Sequence, residues 1–299
     1  MSSAVELESI VAAWAPAPVA VTEVLATEPT VALAGMLPDA LGVPVGGAVP
    51  PLWHWLYFHP WPTIDELGPD GHPATGPFLP PVPDRTRMFA GGRLDVIAPL
   101  LVGRPATQTS SLVGTTVKDG RSGPLLFVTV RNEVVQAGAV CVVEEQDLVY
   151  RSGARRRSTE PEAPTATERE APTVTEPAEA RSVVAARRSL ATPPPVLFRF
   201  SALTANSHRI HYDETYAREV EGYPGLVVHG PLLAVLMIGL SDLLAPTRAV
   251  AGFEFRLLAP AFGGSVVTVD GVPDATPGTA TVAASVAGVR RATASIRFA

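Results

Sequence analysis

Gly225-Leu-Val-Val-His-Gly-Pro-Leu-Leu-Ala-Val-Leu-Met-Ile-Gly-Leu240 is the stretch whose reading decides the fold. Apolar side chains occupy nearly every side of it, so a helix over 227–244 has no face to give to water and must be buried. The chain after it supplies the cover. Residues 250–261, 265–272, 279–287 and 289–298 form four β-like runs, and Gly263-Gly264, Pro277-Gly278 and Gly288 punctuate them as turns. One helix with four or five antiparallel strands buries its surface only if the sheet curls around it. The expected class is α+β.

Upstream, residues 196–201 read as a strand, followed by the turn Phe200-Ser-Ala-Leu-Thr-Ala-Asn-Ser-His-Arg-Ile-His211. His208, His211 and His229 are three of the chain's six histidines, all near the mouth of the buried helix. Histidine titrates near neutrality, and a helix N-terminus presents N–H groups without partners. Together these are the parts needed to move a proton beside a developing oxyanion. Each residue also has a purely structural reading. His211 can bond a backbone carbonyl, Asn206 can shape the turn through its side-chain oxygen, and His229 can cap or pack at the helix start. His208 reads as structural or substrate-contacting, with a second acid/base role as the alternative. The set His208, His211 and His229 could also hold zinc, but the spacing is generic and only Asp213 adds a carboxylate nearby, so no metal is expected.

The composition narrows the function classes. A chain of 299 residues that is 46% hydrophobic and 17% charged has ample material for a core. Its net charge of -6 argues against nucleic acid as a partner. Lys118 is the only lysine, so arginine carries nearly all the positive charge. The single Cys141 rules out an intrachain disulfide and fits a reducing compartment; it lies in an apolar run and reads as core. The longest apolar run, 231–240, is half of the ~20 residues that a spanning helix needs, so no membrane partner is expected. Glu6 and Glu8 stand where a signal peptide would be basic. The expectation is a cytoplasmic protein.

The N-terminal half ends as the C-terminal half does, with strand-length runs at 94–102, 108–117, 124–135 and 139–151, two of them joined by Lys118-Asp-Gly-Arg-Ser-Gly123 as a hairpin turn. Before them come an amphipathic helix near 5–14, a Pro-punctuated apolar stretch and Pro51-Leu-Trp-His-Trp-Leu-Tyr-Phe58, where Trp53-His-Trp55 reads as packing. Two similar four-strand tails suggest duplication, although no residue-level repeat is visible. Between the halves, 152–195 opens with Arg155-Arg-Arg157, is dense in Glu, Thr, Ala and Pro, and closes with Pro193-Pro-Pro195. It reads as an extended linker. The predicted organisation is therefore 1–151, a supporting domain; 152–195, a linker; and 196–299, the domain that carries the site.

Ser201-Ala-Leu-Thr-Ala-Asn206-Ser-His208-Arg-Ile-His211 resembles the signature of the MaoC-type (R)-specific enoyl-thioester hydratases, Ser-Gly-Asp-any-Asn-Pro-Ile-His, and Gly225-Leu-Val-Val-His-Gly230 resembles the opening of their central helix. In the N-terminal half, Trp53-His-Trp, Gly71-His-Pro, Phe78-Leu-Pro-Pro81, Met88-Phe-Ala-Gly-Gly-Arg93 and Glu144-Glu-Gln-Asp-Leu-Val-Tyr150 resemble the double-hotdog subgroup, which includes mesaconyl-C4-CoA (3-methylfumaryl-CoA) hydratases and 3-hydroxyacyl-thioester dehydratases. The resemblance covers most of the chain outside the linker and implies a double hotdog, an acyl-CoA substrate, no cofactor, and a homodimer as a possible assembly. It implies His211 as base, Asn206 orienting water, and Gly230 at the helix start offering an N–H to the oxyanion, with His208, His229 and Arg209 as further contacts. Asn206 departs from the pattern, because the wider family carries its catalytic aspartate there and an amide cannot accept the water's proton.

The expected reaction is hydration of an enoyl-CoA such as mesaconyl-C4-CoA to citramalyl-CoA. The alternatives are a general (R)-3-hydroxyacyl-thioester dehydratase of fatty-acid or polyketide metabolism and a non-catalytic acyl-CoA-binding subunit. A carboxylate-bearing substrate calls for an arginine, with Arg209, Arg93 and Arg256 as candidates. A thioesterase is disfavoured because 227–240 holds no carboxylate, and a Rossmann oxidoreductase because no Gly-any-Gly-any-any-Gly follows a strand.

Overall fold

The computed structural model describes residues 3–37, 47–83, 85–120, 123–152 and 184–299. Helix α1 (Ala4–Ala12) starts on Ser3, whose side chain accepts from the Glu6 amide while Glu6 returns the bond to the Ser3 amide. Strand β1 (Val19–Val24) and helix α2 (Thr27–Ala34) follow, then a 3-10 turn at Trp53–Leu56. Strands β2 (Arg85–Val96), β3 (Pro105–Gly120), β4 (Gly123–Gln136) and β5 (Ala139–Ser152) complete the N-terminal half. The second half runs β6 (Ala186–Ala191), α3 (Pro194–Leu203), a 3-10 turn at Arg209–His211, α4 (Glu214–Glu219), α5 (Gly230–Ile238), α6 (Ser241–Leu244), β7 (Val250–Leu257), β8 (Val266–Pro273), β9 (Thr279–Val286) and β10 (Val289–Phe298).

The ten strands among the described residues join one antiparallel sheet in the order β1-β3-β4-β5-β2-β7-β10-β9-β8-β6. From the outer edge inward, the first half reads first-third-fourth-fifth-second strand, and the second half repeats that order as β6-β8-β9-β10-β7. The duplication suggested by the two tails is thus present as topology. β2 and β7 pair at the seam, with Gly91 opposite Arg256 and Asp95 opposite Gly252.

Alternation explains the strands. β9 and β10 bury every second residue, placing Ala280, Val282, Ala284, Ala292, Ala294 and Ile296 on the inner face. Helix α5 buries all of 232–238 against that face. A single buried cluster then runs through both halves, from Leu25, Trp53 and Leu94 to Leu197, Leu232 and Phe255. A second cluster of Leu7, Leu126, Val128, Leu148 and Tyr150 shows that α1 covers the other face of the first half's strands. No described helix is long and apolar enough to cross a membrane.

Four local expectations need correction. Residues 196–201 are helical within α3, because proline at the first helical positions presets the backbone and loses no needed N–H there. The 227–244 helix begins only at Gly230, since Val227 makes a β-bridge to Phe262, and it is interrupted at Gly239–Leu240 between α5 and α6. The strand expected at 94–102 lies earlier, at Arg85–Val96. Most of the tract expected as a linker is outside the described residues, including Arg155-Arg-Arg157, but its end is not linker. Ala186–Ala191 pairs with β8, and Arg188 is buried where its guanidinium meets Asp242 at 2.8 Å.

Candidate active site

Helix α3 ends at Leu203, and Ala205, in the left-handed region at φ 47°, turns the chain so that the Asn206 amide bonds back to the Ser201 carbonyl. Asn206 Oδ1 then accepts from the His208 amide at 3.1 Å, the turn-shaping role open to it from sequence. The 3-10 turn Arg209–His211 sets His211 inward, where its Nδ1 meets the Val227 carbonyl at 2.7 Å. A carbonyl only accepts, so Nδ1 carries the proton and Nε2 is left with its lone pair. Burial pushes the His211 pKa down from 6.5 to about 4, the backbone bond to Val227 only partly opposing it.

The histidines line up from surface to interior. His208 is half-buried, its ring 5.6 Å from that of His211 and at 89° to it. His211 stacks on His229 at 3.6 Å with 18° between planes. His229 is fully buried at the start of α5, its Nε2 2.8 Å from Ser201 Oγ, and its Nδ1 has no hydrogen-bond partner among the described residues. Burial holds His229 well below the usual range, and burial with the neighbouring histidines takes His208 down to about 2. At neutral pH all three rings are uncharged, the state in which an imidazole accepts a proton.

Glycine at 230 answers a packing need. A Cβ there would lie 2.2 Å from Leu257 Cδ1 on β7, so a larger residue would require the end of the Leu257 side chain to move. Arg209 serves the turn. It holds Asp213 at 2.8 Å and the Pro69 carbonyl at 3.0 Å, and its guanidinium lies over the Tyr216 ring at 4.1 Å. Arg93 is likewise paired, with Glu145 and Asp147, while Arg256 is exposed on β7. The structure thus brings together His208, His211 and His229 with Asn206 and Gly230, and it leaves the arginines outside that cluster.

Two site residues went unassigned from sequence. The loop 68–72 of the first half docks on the histidine turn of the second: the Arg209 amide donates to the Asp70 carbonyl at 2.9 Å, and Ser207 Oγ to the Gly71 carbonyl. That docking sets the His72 ring 4.1 Å from the His208 ring. Asp70 Oδ2 accepts from His72 Nδ1 at 3.0 Å and Oδ1 from the His72 amide at 3.0 Å. Burial alone would raise the Asp70 carboxyl, but the hydrogen bonds from His72 bring it down to about 2. Asp70, His72 and His208 each offer one ligand atom within 4.8 Å of the others, the group among the described residues suited to a cation. The signal in sequence was Gly71-His-Pro, but nothing in spacing ties position 72 to position 208.

Gly71 makes the docking possible. Its φ is +87°, and a Cβ would fall 2.0 Å from the Ser207 carbonyl oxygen. Gly71→Ala is expected to destabilise the chain by ~1–3 kcal/mol from the strained backbone and to lower activity by pushing the two loops apart. Denaturant unfolding together with turnover checks both effects, and unchanged values would refute the tight approach.

The neutral histidines also set a pH dependence. The unfolded chain takes up a proton at His211 near pH 6.5, and the folded chain only near about 4, so the unfolded state binds more protons between these values. Stability from this group is fully present above pH 6.5 and is lost as pH falls toward about 4. Chemical denaturation at stepped pH should show that decline.

Comparison with known proteins follows the same lines. The model of a family described as hydroxyacyl-thioester dehydratase type 2 matches residues 52–263. A mesaconyl-C(4)-CoA hydratase of Chloroflexus aurantiacus is 46% identical over 234 residues, covering 78% of this chain and 78% of that protein. Among solved structures, a MaoC-like dehydratase superposes with a TM-score of 0.66 at 16% identity, over 98% of this chain and 100% of the other. A conserved hypothetical protein of Mycobacterium tuberculosis with a double hotdog fold gives 0.54 at 13%, over 95% and 96%. At those identities the structural likeness speaks to the fold alone, and the fold is the double hotdog expected from sequence.

Proposed function

We propose a reaction from one premise: the chain belongs to the hydroxyacyl-thioester dehydratase type 2 family. It is a hydro-lyase, and the reaction is the reversible addition of water to the double bond of an α,β-unsaturated acyl-CoA. The substrate we propose is mesaconyl-C4-CoA, giving citramalyl-CoA, and the 46% identity to a hydratase of that name over most of the chain supports it. Acyl-CoA is then the substrate, and adding water to a conjugated thioester calls for no cofactor.

One observation carries the mechanism: His211 keeps a bare Nε2 because the Val227 carbonyl fixes its proton on Nδ1. In our reading, Nε2 takes a proton from water as the water oxygen bonds to the β-carbon. The π electrons move toward the α-carbon and the thioester oxygen, and the imidazolium returns the proton to the α-carbon. The Gly230 N–H, at the positive end of α5, faces the growing charge on the thioester oxygen. Asn206 acts through the turn, because its oxygen already bonds the His208 amide. His208 and His229 pack around the base and keep it desolvated, while Arg209 fixes the loop.

Mass analysis of the thioester after incubation tests the proposal. A gain of one water with the CoA still attached is expected. Free CoA thiol would mean hydrolysis, and unchanged mesaconyl-C4-CoA with turnover of other enoyl thioesters would refute the assigned acyl group.

A further inference from the structure

A water that adds to a carbon presents two O–H bonds, and a base that takes one proton works best when a second acceptor fixes the other. His211 Nε2 is one such acceptor. Asn206 is poorly placed to be the second, since its side-chain oxygen is engaged by the His208 amide. The first half supplies a candidate. His72 is partly open to solvent, its side chain 19% exposed, and its ring lies 4.1 Å from that of His208 at a 36° tilt. Both Asp70 oxygens bond His72, one at the amide and one at Nδ1, so the ring is held in place and the proton sits on Nδ1. Nε2 is left as an acceptor, and the carboxylate behind the ring strengthens it, as an aspartate does behind a catalytic imidazole.

We propose that His72, a residue of the first half, is a further catalytic residue whose Nε2 accepts an O–H bond from the water that His211 deprotonates, with Asp70 as its positioning residue. The inference rests on the hydratase reading above. The step balances on one water. Its first O–H breaks as N–H forms at His211 and C–O forms at the β-carbon, and the double-bond pair shifts to the α-carbon. The His211 proton then passes to that carbon, returning the His211 ring to neutrality, while His72 stays neutral throughout. The second O–H stays whole, bonded to His72, and becomes the product hydroxyl. The active centre is therefore shared between the halves, and the first half contributes chemistry as well as pocket wall.

The test compares full-length wild type with His72→Ala, His72→Gln and Asp70→Asn on the enoyl-CoA that wild type turns over. His72→Ala is expected to lower kcat about a hundredfold with KM little changed. His72→Gln keeps an acceptor oxygen and should recover part of that loss. Asp70→Asn offers a donor to Nδ1, favours the tautomer protonated on Nε2, and should lower kcat about tenfold or more. Nitrogen-15 NMR of labelled histidine reads that tautomer change directly, and a merely structural Asp70 would not produce it. Turnover by His72→Ala within twofold of wild type overturns the proposal while leaving the hydratase reading intact. So does wild-type activity that a chelator abolishes and zinc restores, since Asp70, His72 and His208 would then be ligands. If wild type turns over no enoyl thioester, the hydratase reading itself has failed.

Discussion

His211→Ala is expected to lower kcat by about a thousandfold, within the range that a positioned acid/base contributes. The substitution removes the one ring whose tautomer the Val227 carbonyl fixes and which stacks on His229 at the start of α5. KM should change less, since His211 is buried at 6% exposure and its proposed role is to deprotonate the water rather than to bind the CoA moiety. The alanine also leaves a gap beside His229, which stacks on His211 at 3.6 Å, so some loss of stability accompanies the loss of rate. Thermal unfolding of the same preparation separates the two effects. A folded His211→Ala protein with kcat within tenfold of wild type would remove His211 from the mechanism.

The second large effect lies outside the cluster of His208, His211 and His229. Glu144 on β5 is 1% exposed, and four donors surround it: Trp55 Nε1 at 2.7 Å, His54 Nε2 at 3.0 Å, Gln146 Nε2 at 3.0 Å and Asn132 Nδ2 at 3.2 Å. Burial alone would raise its pKa, but His54 and these hydrogen bonds hold it below the usual carboxylate range. Trp55 meanwhile packs edge-on against Phe89 of β2 and Phe255 of β7, so the network fixes the Trp53–Leu56 turn over the seam between the halves. Glu144→Ala strands the buried donors together and is expected to destabilise the fold by ~3–5 kcal/mol. Glu144→Gln, which keeps one acceptor, should cost less. Urea unfolding of the three proteins measures this. A change below about 1 kcal/mol for Glu144→Ala would mean that the network contributes little to holding the seam.

Much of this architecture was legible before any coordinates. The strands after the buried helix alternate cleanly, and α5 is apolar enough that only the centre of a wrapped sheet suits it. β6 was hidden because Arg187-Arg188-Ser189 sits at the end of a polar tract. Its period-two burial shows only once Arg188 is seen paired with Asp242. α3 passed for a strand because Val196, Phe198 and Phe200 suit either element and the prolines before them were read as linker. Trp53 does fill the core as expected, whereas His54 and Trp55 turned out to be hydrogen-bond donors to a carboxylate some ninety residues away in sequence.

The site divides the same way. His208, His211 and His229 lie close enough in sequence for their meeting to be foreseen, and they do meet. Asp70 and His72 reach them only through the docking of a loop from the other half, which no local pattern encodes. Gly230 stands at the start of α5, as its place before the apolar run led one to expect, and the Leu257 side chain packs close against it.

The most direct test of the central claim is the ultraviolet absorbance of the conjugated thioester, followed with purified full-length protein on mesaconyl-C4-CoA, crotonyl-CoA and a longer enoyl-CoA. The account predicts loss of absorbance with wild type, fastest on mesaconyl-C4-CoA, and almost none with His211→Ala. Measurable binding of these thioesters with no loss of absorbance on any of them would contradict it and point to an acyl-CoA-binding subunit without turnover.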